Sequence, residues 1–208
     1  MHNVIYYPRD SIKGYVFYLH GTVGNVEYQS QYIPGFTDNG YVVWMMDYRG
    51  YGKSRGKLSE ANLQDDAARM YREFLKYFKI DSSKSIVCGR SIGTGMATKI
   101  AAQYQPGKLL LISPFYNLPD IFKSYVPWFP FKLFMHNEFP NEKYLPAYKG
   151  PAAIFQGAND LVVPSRSTRK LQVYLKPGDE YHEYPQSNHS NLVDNIEYQS
   201  DVLLFLKK

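Results

Sequence analysis

One stretch constrains this chain more than any other. The apolar run Ser85-Ile86-Val87-Cys88 leads into Gly89-Arg90-Ser91-Ile92-Gly93, and Thr94-Gly95-Met96-Ala97-Thr98-Lys99-Ile100-Ala101-Ala102 follows with helical character. A serine at the centre of G-x-S-x-G, between a short strand and a helix, sits on a sharp turn that lifts its hydroxyl above the sheet. Small residues two positions to either side let strand and helix pass closely. The helix beginning behind the serine also directs backbone N–H groups at any anion formed there.

The same alternation of apolar run and helical stretch continues along the chain. Strands are expected near 14–19, 41–47, 85–90, 108–113, 152–156 and 181–185, and helices near 27–39, 60–78, 92–105, 165–175 and 191–206. Continuous apolar strands such as Tyr41-Val42-Val43-Trp44-Met45-Met46 predict a sheet covered on both faces. The fold class is therefore α/β, a doubly wound, mainly parallel sheet flanked by helices, with ligands at the carboxyl edge of the strands. A length of 208 residues and 44% hydrophobic content fit one domain over 1–208.

A serine hydroxyl needs a base to take its proton, usually a histidine oriented by a carboxylate. Asp160 lies in the loop after the apolar run Ala152-Ala153-Ile154-Phe155-Gln156, 69 residues beyond Ser91. His189 lies in the loop after Tyr181–Pro185, a further 29 residues on. Singly, Asp160 reads as a turn or cap and His189 as a loop histidine. Jointly, the order Ser91, Asp160, His189, each after a strand, points to a nucleophile, an orienting acid and a base. His2 is terminal, His136 lies in an aromatic insertion and His182 lies inside a strand, so they compete poorly. His20-Gly21-Thr22-Val23-Gly24-Asn25 ends another apolar strand, and the backbone N–H groups of Thr22 and Ile92 are the expected oxyanion donors.

Five markers fall in order: His20-Gly21; Asp47-Tyr48-Arg49-Gly50-Tyr51-Gly52-Lys53-Ser54; Gly89 to Gly93; Gly157 to Pro164; and His189. On these residues the chain resembles the α/β-hydrolase superfamily of serine hydrolases, and within it the Bem46-like branch that includes the ABHD17 depalmitoylases. The resemblance implies hydrolysis of an acyl ester or thioester through Ser91, Asp160 and His189, with Asp47 and Arg49 structural. Thr22 stands where related chains often carry Asn, and Ser187-Asn188 where glycines are frequent; the second departure bears on how His189 is placed. Neither a metal nor an organic cofactor is needed. A serine peptidase and a non-catalytic binding or scaffold protein on the same fold are the alternatives.

Between the strand near 108–113 and the one leading to Asp160 lies an irregular lid insertion, 116–150. Six of the fifteen residues from Ile121 to Met135 are aromatic and none is acidic. Phe122, Trp128, Phe129 and Phe131 are the expected substrate-binding residues. Three readings stay open for this stretch: an acyl-binding wall, a surface resting on a membrane, and a short helix packed on the core. The expected partner is a small-molecule or lipid acyl ester or thioester. Net charge is +5, but the lysines are spread among acids, so nucleic acid is not an expected partner. No apolar run approaches the roughly 20 residues needed to cross a bilayer. The expected location is cytoplasmic or peripheral to a membrane, with a preceding signal or anchor left open. The single cysteine forms no internal disulfide, and oligomeric state is not legible.

Overall fold

The structure, a computed structural model, describes residues Met1–Lys208. The strands are β1 (Asn3–Tyr6), β2 (Gly14–Leu19), β3 (Tyr41–Met46), β4 (Ser85–Arg90), β5 (Lys108–Ile112), β6 (Ala152–Gly157) and β7 (Glu180–Tyr184). The helices are α1 (Val26–Gln29), α2 (Pro34–Thr37), α3 (Glu60–Phe78), α4 (Gly93–Tyr104), α5 (Leu118–Tyr125), α6 (Phe131–Phe134), α7 (Asn141–Tyr144), α8 (Ser165–Arg169) and α9 (Ile196–Lys207). One sheet of seven strands runs in the order β1-β3-β2-β4-β5-β6-β7. Only β1, an edge strand, is antiparallel, pairing Asn3 with Met46 and Tyr6 with Val43 of β3.

The apolar strands build two cores because successive side chains point to opposite faces. Phe17 and Leu19 of β2, Trp44 and Met46 of β3, Val87 of β4 and Leu109 and Leu111 of β5 enter one cluster. Val16, Tyr18, Val43, Met45, Ile86, Cys88, Leu110 and Ile112 enter the other. The first cluster is closed by α3 and α4. In α3, Leu63, Ala67, Met70, Tyr71 and Phe74 recur at helical spacing and are buried, while Ser59 caps the start by accepting from the Asn62 N–H at 3.3 Å. The second cluster is closed by α9 through Tyr198, Val202, Phe205 and Leu206. Burial on both faces is what the continuous apolar strands require.

Three helices expected from periodicity are shorter in the structure. The stretch 27–39 is divided into α1, a 3-10 turn at Ser30–Tyr32, and α2, because Pro34 has no N–H to continue a helical ladder and instead starts a new one. The stretch 165–175 is α only to Arg169 and then tightens into a 3-10 turn, Lys170–Tyr174. At 191–206, Asn195 interrupts, capping α9 by accepting from the Tyr198 N–H at 3.0 Å.

Candidate functional site

Ser91 is the first residue after β4 and takes φ +52°, the left-handed region that an L residue enters only under constraint. Packing supplies the constraint. A Cβ on Gly93 would lie 2.0 Å from the Leu19 carbonyl oxygen, and one on Gly89 would lie 2.7 Å from the Ala97 Cβ. Both flanking glycines are therefore dictated by contact between α4, β4 and the end of β2. The Ser91 N–H donates to the Ile112 carbonyl at 2.9 Å, and its own carbonyl accepts from the Thr94 N–H at 2.9 Å and the Thr94 hydroxyl at 2.7 Å. The side chain is 5% exposed.

Asp160 follows β6, and its side chain is 0% exposed and fully engaged. Oδ1 accepts from the Val162 N–H at 2.9 Å and the Val163 N–H at 2.7 Å, and Oδ2 meets His189 Nδ1 at 2.7 Å. This pairing leaves the other ring nitrogen, Nε2, directed away from the acid. No hydrogen bond joins Nε2 to Ser91 Oγ. The two loops are laced together by backbone bonds: the Ala158 N–H donates to Tyr184 and the Asn159 N–H to Ser187, each at 3.0 Å. Asn188 holds the histidine turn. Its Oδ1 accepts from the Ser190 N–H at 2.9 Å and the Asn191 N–H at 3.0 Å.

The loop after β2 lies beside the serine, since a Cβ on Gly21 would be 3.5 Å from the Ser91 Cβ. Among the hydrogen bonds of the chain, the N–H groups of Thr22 and Ile92 find no partner. Asp47 anchors the β2 loop from beneath. It is 1% exposed, accepts the Val26 N–H at 2.8 Å on Oδ1, and bonds His2 Nδ1 at 2.8 Å through Oδ2. Arg49 makes a two-pronged pair with Asp66 of α3, Nε to Oδ2 at 2.5 Å and Nη2 to Oδ1 at 2.6 Å. His20 points down into the core rather than into the site. Its ring stacks on Tyr48 at 4.2 Å, Nδ1 approaches the Gly21 carbonyl at 2.7 Å, and burial lowers its pKa. Cys88 is buried in β4, and desolvation raises its thiol pKa, so it is held as a neutral thiol.

Two residues that sequence reasoning passed over hold the site together. Arg90 Nη2 donates to the His189 carbonyl at 2.8 Å while the guanidinium lies 4.1 Å over the Tyr32 ring. The residue before the serine thus grips the histidine loop. Asn141, 0% exposed at the start of α7, donates to the Phe115 carbonyl at 2.8 Å and to Thr94 Oγ1 at 3.2 Å, and accepts from Thr98 Oγ1 at 2.7 Å. It pins the distal end of the lid insertion to α4. The signal for Arg90 was its place in the elbow; a lone asparagine in an irregular stretch gives none.

The four lid aromatics meet one another. Phe122 of α5 packs on Phe131 at 5.6 Å, and Phe129 packs on Phe131 at 4.6 Å and on Phe134 at 5.4 Å. Trp128 is 82% exposed, Leu133 79% and Phe134 64%. Residues 122–134 present an outward-facing aromatic patch, while Ile121 of α5 packs into the first core cluster with Leu118 against it.

Residues 10–142 match the family model described as serine aminopeptidase, S33. Among curated proteins the chain is similar to Uncharacterized protein Rv2307c of Mycobacterium tuberculosis, 27% identical over 177 residues, covering 85% of this chain and 63% of that protein. It is also similar to the lysophosphatidylserine lipase ABHD12 of Danio rerio, 30% identical over 176 residues, covering 75% of this chain and 46% of that protein. The chain thus spans about half to two thirds of these relatives' length. Similar solved structures include an esterase from Exiguobacterium antarcticum, at TM-score 0.72 and 17% identity over 100% of this chain and 95% of that one. A monoacylglycerol lipase from Paleococcus ferrophilus aligns at TM-score 0.73 and 15% identity over 99% of this chain and 97% of that one. With its parallel sheet, its elbow at Ser91 and this family match, the chain belongs to the serine aminopeptidase, S33 family of α/β-hydrolases.

Proposed function

We propose that the chain is a serine acyl hydrolase cleaving carboxylic esters or thioesters of lipid-like substrates. The observation that carries this is the Asp160–His189 pair, 2.7 Å between Oδ2 and Nδ1, held by Arg90 against the strained serine elbow. In the first step Ser91 Oγ forms a bond to the substrate carbonyl carbon and its proton passes to His189 Nε2. The carbonyl electron pair moves onto oxygen, and that oxyanion accepts from the Thr22 and Ile92 N–H groups. Asp160 keeps Nδ1 protonated and stabilises the imidazolium. Collapse expels the alcohol or thiol, which takes the proton from Nε2 and leaves an acyl-serine. Water then gives a proton to Nε2 and attacks the acyl carbon, and the second collapse releases the acid and returns the proton to Ser91 Oγ. The missing Nε2–Oγ hydrogen bond accords with this reading, since such contacts often tighten only when substrate binds.

Lipid-like acyl substrates are favoured by the lid. An aromatic patch with exposed Trp128 and Phe134, Lys123 and Lys132 beside it and no acid from Ile121 to Met135, suits an amphiphile at a lipid surface. The names of the lipase relatives agree. The test is labelling by a fluorophosphonate probe, followed by p-nitrophenyl esters of increasing chain length. The wild-type chain is expected to label, Ser91→Ala not at all, and His189→Ala at a small fraction of the wild-type rate. A folded wild-type chain that resists the probe overturns the proposal.

A further inference from the structure

The apolar surface of 122–134 continues beyond that stretch. Helix α5 is clamped to α8 and to the loop that carries Asp160. The Tyr125 hydroxyl donates to the Leu161 carbonyl, Arg166 Nη2 to the Ser124 carbonyl, and the Ser167 hydroxyl to Asp120 at 2.6 Å. In that loop Leu161 is 82% exposed and Val162 57%. At the other end, Trp128 and Phe134 both pack on Phe129, which packs on Phe131 and through it on α5. Tyr125, Trp128, Leu133, Phe134, Leu161 and Val162 therefore form one exposed apolar face drawn from two segments. A contiguous face of this kind marks an interaction site, where scattered apolar residues would not.

Charge decides what the face meets. Lys123, Lys132 and Arg166 are exposed among these side chains, and none of the three pairs with a carboxylate. The acids flanking the stretch are already engaged, Asp120 by Lys170 and Glu138 by Lys143 at 3.7 Å. No acidic residue lies between those two, and Asp160 is taken by His189. Three free cations with no free acid select an anionic surface. Lysine directly follows phenylalanine twice, at Phe122-Lys123 and Phe131-Lys132, so cation and apolar anchor stand side by side. Aromatic rings with a polar tip settle at the headgroup level of a bilayer, and basic residues beside them are drawn to anionic headgroups.

We propose that this face docks on an anionic lipid bilayer, with Trp128 and Phe134 inserted at the interface and the loop of Asp160 held against the headgroups. Docking involves no turnover, so it stands or falls apart from the hydrolase reading.

The experiment is co-sedimentation of the full chain with vesicles of phosphatidylcholine alone and of phosphatidylcholine mixed with phosphatidylglycerol. The mixed vesicles are expected to bind at least about tenfold more tightly, since each basic residue near the surface contributes about fivefold. Rising salt should weaken that binding. Lys123→Gln with Lys132→Gln should erase most of the preference for the mixed vesicles. Trp128→Ala with Phe134→Ala should weaken binding to both compositions at least about tenfold, and Leu161→Ser about threefold. Ile196→Ser, at an exposed position of α9 on the opposite face of the sheet, should leave it unchanged. A wild-type chain that stays off the mixed vesicles, or that binds both compositions equally, overturns the proposal. So does binding that survives the loss of Trp128 and Phe134, or that Ile196→Ser weakens as much as that pair does. Full binding by Leu161→Ser overturns the placing of the Asp160 loop.

Discussion

The carboxyl edge of the sheet and the aromatic stretch 121–135 are built on opposite terms. At the edge, each side chain of the proposed triad is buried or nearly so, and the loops that carry them are cross-bonded: Arg90 to the His189 carbonyl, Asp160 to two N–H groups and a histidine, Asn159 to Ser187. Along 122–134 the aromatic side chains pack mostly on each other and turn large apolar surface outward, while Asn141 further on is buried in a polar network. On the proposed hydrolase reading, the cross-bonded edge holds the groups whose small displacements would cost the most in rate.

The comparison is broken most sharply at Asp160. Asp160→Asn keeps the shape but hands Nδ1 a donor in place of an acceptor, so the histidine is turned to the wrong tautomer. A fall of about 10⁴ in kcat with little change in thermal stability is expected by ester assay, by analogy with the same change in other triads. A loss below tenfold would mean that the edge is not a triad. Next is Gly93→Ala, whose methyl would stand 2.0 Å from the Leu19 carbonyl oxygen. Chemical denaturation should show a loss of about 3 kcal/mol, at the upper end of overpacking costs, and labelling of Ser91 should fall with it. Unchanged stability would show that the elbow tolerates expansion.

The lid sharpens the contrast from the other side. Trp128→Ala should change stability by no more than about 0.5 kcal/mol, leave short soluble esters untouched and slow hydrolysis of long-chain esters presented on vesicles. Equal slowing of both would place Trp128 in the site itself. The smallest effect is beneath the edge, at His20. Burial lowers its folded-state pKa from 6.5, so the unfolded chain binds the proton more readily. This contribution to stability is present above pH 6.5 and is lost as pH falls through the folded-state value. His20→Phe keeps the stack on Tyr48 and should flatten the decline in unfolding free energy between pH 7 and pH 5; an identical slope in both chains rules out His20 as its source.

Much of this was legible in the chain itself. Strand positions follow from apolar runs of the right length, because both faces of each central strand are buried and side chains alternate. The elbow is legible because its two glycines answer to local contacts between a strand, a helix and a neighbouring strand end. The order of Ser91, Asp160 and His189 is legible because each follows a strand. The helices at 27–39, 165–175 and 191–206 were drawn too long, since periodicity persists through Pro34 and Asn195 even where the backbone ladder does not.

Tertiary structure alone decided the rest. That Arg90 at the end of β4 reaches the carbonyl of His189, 99 positions away, depends on a strand end and a distant loop meeting at the sheet's edge. That Asn141 ties α7 to α4 and that the aromatic patch faces outward depend on how helices settle against a finished sheet. Local sequence encodes element type and residue order through short-range sterics and burial pattern. Which side chains then meet across elements is a property of packing, and no stretch of the chain carries it alone.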